Sequence, residues 1–154
     1  MATSAVPAAL DALLEILQAA PGLDGVRVLD GSPTTNLTGG DWVYVGYQPG
    51  ADTSVNLTQE FNAAGARTRD EDFNILCYAE SRSGGTSVAT ARQRVFELLA
   101  QVETALRATE TAPEAPTLNG TVLWAHLTTG DLYQLQADGV LAGVAFAIKC
   151  RARI

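Results

Sequence analysis

Apolar and polar positions alternate strictly from Asp72 to Ala79, placing Phe73, Ile75, Cys77 and Ala79 on one side of an extended segment and Leu76 and Tyr78 on the other. The first set predicts a core-facing strand. The period then changes. After Ser83-Gly84-Gly85, with Thr86 or Ser87 able to accept from free backbone N–H groups, Val88, Ala91, Val95, Leu98, Leu99, Val102 and Leu106 recur at helical spacing, while Arg92, Gln93, Glu97, Gln101 and Arg107 point elsewhere. A helix of about 30 Å results. An earlier helix is predicted from Ala5 to Ala20, with Ala9, Leu10, Leu13, Leu14, Ile16 and Leu17 on its apolar side, and Pro21-Gly22 stops it.

The remaining segments read as strands and connections. Val26 to Leu29 is a short strand and Gly31 to Gly40 a loop. Asp41 to Tyr47 is a strand that sets Trp42, Tyr44 and Gly46 against Val43, Val45 and Tyr47, so both of its faces should be covered, by core or by an interface. Val55, Leu57, Gln59, Phe61 and Ala63 alternate with Asn56, Thr58, Glu60 and Asn62, which predicts a half-buried strand. Ala64 to Asp72 is too charged to pack tightly, and positions 48–72 together suggest a mobile arm. The proline-interrupted run from Ala108 to Asn119 has no periodicity and reads as an exposed linker over 108–120. Val122 to Leu127 and Leu132 to Ala137 are strands separated by a bulge or bend at Gly130, and Asp138-Gly139 signals a hairpin. In the returning strand Val144, Phe146, Ile148, Cys150, Ala152 and Ile154 share one face. Ala145, Ala147, Lys149, Arg151 and Arg153 share the other. Lys149, Arg151 and Arg153 form a basic row that either guards an edge strand or meets an acidic partner or DNA.

These elements, two helices and several strands, predict a single domain over 1–154. A chain of 154 residues with 47% hydrophobic content is long enough to bury one substantial core. The net charge of −7 argues against a monomeric module that grips nucleic acid through a broad basic face. The first residues lack the basic start and apolar run of a secretion signal, and no apolar stretch approaches membrane-spanning length, so a cytoplasmic origin is expected. Cys77 and Cys150 sit in strand alternation and read as small core residues.

Chemistry is sparse. His126 has neither a neighbouring nucleophile nor a ligand pattern, and the single lysine, Lys149, is not preceded by the glycines of a phosphate-binding loop. Asp70-Glu71-Asp72, beside Arg67 and Arg69, lacks the spacing of a calcium loop. No catalytic residue, metal or cofactor is expected. A small enzyme or ligand-binding domain remains an alternative if polar groups converge in a deep pocket near His126.

The segment Gly65-Ala66-Arg67-Thr68-Arg69-Asp70-Glu71-Asp72-Phe73-Asn74-Ile75, the Ser83-Gly84-Gly85 bend, the Ala91-Arg92 helix running to Leu106, and the C-terminal hairpin ending Lys149-Cys150-Arg151-Ala152-Arg153-Ile154 resemble the tail terminators of long-tailed bacteriophages. The resemblance implies a small α+β fold, an antiparallel or mixed β-sheet with two helices packed on one face, and a virion protein at the tail-neck junction, assembled in the host bacterial cytoplasm. It implies a hexameric ring that caps the tail tube, halts its polymerisation and offers the head a surface to join. Its partners would be further copies of itself, a tail tube protein and a head–tail connector protein, with DNA only as passing cargo and no membrane. Another neck component, a connector or tail-completion protein, is the nearest alternative. On the ring reading, Arg67, Arg69, Asp70, Glu71, Leu76, Tyr78, Trp42 and Tyr44 are the candidate oligomer or tube contacts, and Lys149, Arg151 and Arg153 the candidate basic strand face.

Overall fold

A computed structural model describes residues 2–33, 39–82, 87–136 and 139–154. The order is α1 (Val6–Ala19), β1 (Arg27–Asp30), β2 (Gly40–Val45), β3 (Val55–Phe61), β4 (Arg69–Arg82), α2 (Val88–Ala105), β5 (Trp124–Leu135) and β6 (Leu141–Arg153). The strands form one six-stranded sheet in the order β1-β2-β4-β6-β5, with β3 paired to the first half of β4. β1 and β2 run parallel and every other pair is antiparallel, so the sheet is mixed. The fold is α+β, with both helices on one face.

The main core lies between that face and the helices. Phe73, Ile75, Cys77 and Ala79 meet Val144, Phe146, Ile148 and Cys150 across the β4–β6 ladder, and Ala9, Leu13, Leu17, Ala91, Val95, Leu98 and Val102 close over them. The apolar stripe of α2 therefore packs as its period requires, with Val88 and Leu99 half-buried at its margin. Ser87 caps α2 by accepting from the Thr90 N–H at 3.4 Å. The Ser83-Gly84-Gly85 bend, Thr86 and Asp138 lie outside the described residues. No helix among the described residues is long and apolar enough to cross a membrane.

Several expectations change. Residues 69–72 are not loop: they open β4, paired on one side with β3 and on the other with β6, because Asp70 and Asp72 find arginine partners across the ladder. β3 is a strand but not half-buried. Leu57 is 46% exposed and Phe61 67%, because the helices that cover β4 make little contact with β3 beside it. The expected linker is exposed over most of its length but is anchored at two points, Ala115 and Leu118, which are fully buried, and Leu118 and Asn119 are both in left-handed backbone conformations. β5 is one continuous strand, and its irregularity falls at Thr128, between Leu127 and Thr129, rather than at Gly130. β6 is an interior strand, flanked by β4 and β5, so its basic row guards no edge.

Candidate functional site

The sheet face away from the helices carries most of the candidate residues. Alternation on four strands lines them up in cross-strand rows. Asn56, Asn74, Lys149 and His126 form one, Thr58, Asp72, Arg151 and Trp124 a second, and Glu60, Asp70 and Arg153 a third. An open groove of about 460 Å³ runs over the first two rows.

This surface is nearly self-neutralised. The Arg151 guanidinium makes a two-pronged pair with Asp72, Nε to Oδ1 and Nη2 to Oδ2, each at 2.9 Å. Arg153 Nε donates to Asp70 Oδ1 at 2.8 Å, and that bond holds the Asp70 carboxyl below the usual aspartate range. A strongly positive face for DNA is thereby removed: the acids expected in a charged loop sit directly beside the bases expected on an edge. Trp124 and His126 stack with ring centroids 4.8 Å apart, and the cleft bordering His126 is small, about 160 Å³. Among the described residues no group of three or more His, Cys, Asp or Glu side chains is placed to hold a metal ion.

Glu71 occupies a different place. It is fully buried on the helix side, where its carboxylate accepts from the Ala5 N–H at 2.8 Å and from Gln59 Nε2. Ala5 has no side-chain cap of its own; Ser4 Oγ accepts from the Val6 N–H at 3.1 Å, and a strand residue 66 positions away supplies the acceptor for the Ala5 N–H. Gln59 also donates to the Thr3 carbonyl at 2.9 Å and accepts from Arg69 Nη1 at 2.9 Å. Arg69 and Glu71 thus tie the base of the β3–β4 hairpin to the N-terminal segment. Arg67 alone of the expected charge partners lies exposed near the hairpin tip.

At the other end of the same outer face, Trp42, Tyr44 and Tyr78 are buried by their own chain, forming a second cluster with Ala145, Leu29 and Tyr47. Tyr44 stacks on Tyr78 with centroids 6.1 Å apart, and Arg27 lies over the Trp42 ring at 4.6 Å. Their burial therefore requires no neighbouring subunit, and of this group Leu76 is left half-buried. Tyr47 was expected beside Val43 and Val45. Gly46, at φ +78°, breaks the alternation and turns Tyr47 onto the aromatic face, where it meets Tyr44 edge-on at 5.4 Å. Among the described residues Trp42 Nε1 and the Tyr44 hydroxyl have no hydrogen-bond partner, and burial pushes the Tyr44 hydroxyl up to about 12.

With the geometry in place, the chain can be set beside known proteins. No family model matches it, and no curated protein does. The fold resembles a chain of a virion. A solved structure described as the virion of a native gene transfer agent particle contains a chain that superposes with a TM-score of 0.63 at 12% identity, covering 99% of this chain and 100% of that one. At that identity the likeness is one of fold.

Sequence reasoning also misplaced the side chains of Glu71 and Tyr47. The signal for Glu71 was a carboxylate in phase with Phe73 and Ile75, on the core side of the alternation. The signal for Tyr47 was the glycine before it.

Proposed function

We propose that this chain is a structural protein of a phage-like particle that assembles as a ring on the end of the tail tube, stops tube polymerisation and presents the surface to which the head joins. The observation that carries the reading is the end-to-end likeness of its fold to a gene transfer agent virion chain, in which neither chain leaves a domain unmatched. A capping ring needs complementary surfaces and closed symmetry, and no reacting group. The tip of the β3–β4 hairpin, with Arg67 and the exposed Phe61, is the part we assign to the tube. Asp70, Asp72, Arg151 and Arg153 brace that hairpin from its base, and their mutual neutralisation leaves passing DNA a surface with little net attraction.

Co-sedimentation with purified tail tubes and, separately, with filled heads tests this role. Binding to tubes but not to heads is expected. Binding to heads alone would reassign the chain to the connector side of the neck, and binding to neither would remove the assignment.

A further inference from the structure

β5 ends the sheet, and among the described residues no strand pairs with its outer edge. A free edge is a template for another chain, and proteins usually guard one with lysine, proline or a short strand. Here the edge is twelve residues long, and Thr128 to Leu135 carries one charge, Asp131, and no proline. Leu132, Tyr133 and Leu135 are 40%, 48% and 59% exposed. Among the described residues no strand pairs with the opposite side of the sheet either, and that side is stepped: β1 lies two strands out from β4 at the level of the second half of β5, while β3, with Leu57 and Phe61 exposed, lies one strand out at the level of the first half. On the outer edge of β1 the Val28 carbonyl accepts from Gln18 Nε2 at 3.4 Å.

Strand polarity makes these two sides compatible. β1 and β3 both run antiparallel to β4, whereas β5 runs parallel to it. When a second copy is set beside the first in the same orientation, its β1, the outermost strand of that side, meets the second half of β5 as an antiparallel partner, the pairing with the better hydrogen-bond geometry, with the Gln18 side chain giving up the Val28 carbonyl. Charge agrees. The cross-strand rows run Arg27, Trp42, Glu80, Gly143, Tyr133 and Leu29, Tyr44, Tyr78, Ala145, Asp131. Continuing those rows into the neighbour brings its Arg27 opposite Tyr133 and diagonal to Asp131, and its Leu29 opposite Asp131.

We infer that the outer edge of β5 is the seam at which a second copy of this chain docks head to tail, its β1 extending the sheet of the first along the second half of β5. Such a contact is heterologous, so repeated application closes a ring when the rotation permits. The seam deepens the ring reading above and rests on it, but its test uses no tubes, so the two fail separately.

The test is a mixed crosslinking experiment on the full chain at its highest soluble concentration, using Arg27→Cys and Tyr133→Cys copies with a short bis-maleimide. Both positions are exposed. The native Cys77 and Cys150 are buried, with thiols pushed up to about 12, and stay silent. A crosslink is expected in the mixture and in neither variant alone. In parallel, Asp131→Arg should weaken self-association in sedimentation at least about tenfold, and adding Arg27→Asp should restore it. A Tyr133→Cys chain that crosslinks to itself would overturn the seam in favour of two-fold β5–β5 pairing. A mixture that gives no crosslink, from a chain that sediments only as monomer, would overturn it altogether.

Discussion

Glu71 joins two parts of the molecule that are far apart in sequence, the first turn of α1 and the base of the β3–β4 hairpin. Removing its carboxylate orphans the Ala5 N–H and one Gln59 donor in a buried site. Glu71→Ala should therefore cost roughly 1–3 kcal/mol, read by urea denaturation. The two arginines once grouped with it should separate. Arg67→Glu at the exposed tip should leave thermal stability unchanged while weakening tube binding. Arg69→Glu should lower stability, since its side chain donates to Gln59 and would face Glu71 as a like charge. Equal thermal shifts for the two would contradict this division. Asp70 gives a pH signature. Its folded-state value is depressed below the usual 3.8 by the Arg153 hydrogen bond, so its contribution is fully present above that value and is lost as pH falls through the lower folded one. Asp70→Asn should thus lower the melting temperature at neutral pH, with the gap to wild type narrowing only below about pH 4. A gap that widens on acidification would refute the assignment.

Among elements, those whose pattern is local were readable in the sequence. The stripe of α2 and the alternation of β4 and β6 have faces fixed by 3.6 and 2.0 periodicities, and Ala91, Val95, Leu98, Phe146 and Ile148 are buried accordingly. What escaped depended on distant partners. Asp70 and Asp72 look like loop until Arg153 and Arg151, about eighty positions later, are known to lie beside them. β3 alternates like a half-buried strand, yet only Val55 and Gln59 are partly covered. The segment around Leu118 has loop composition but fills a gap at the end of the core. The contact between β4 and β6 gives an element-level test. Tyr78 lies across Gly143 so closely that a Cβ there would overlap the phenol ring and hydroxyl. Gly143→Ala should destabilise the protein by about 1–3 kcal/mol. Tyr78→Ala is costly alone, so the double variant should be less destabilised than the sum of the two, as a double-mutant cycle in urea would show. Strict additivity would place the two residues apart.

At the scale of the whole molecule, one sheet has a helix-covered face that holds it together and an outer face whose charges are largely spent on one another. Among the described residues, its free edges and the exposed apolar side chains on the outer strands β3 and β5, Leu57, Phe61, Leu132, Tyr133 and Leu135, are features that the fold alone leaves unused. Assembly into a ring at a tube end would employ them. The most direct measurement is tube elongation: purified tail tube protein is allowed to polymerise with this chain added at a small molar fraction, and tube lengths and ends are read by electron microscopy. The account predicts short tubes with a ring of density at one end, and no arrest with the hairpin-tip variant Arg67→Glu. Tubes that grow to full length with bare ends in the presence of the wild-type chain would contradict it.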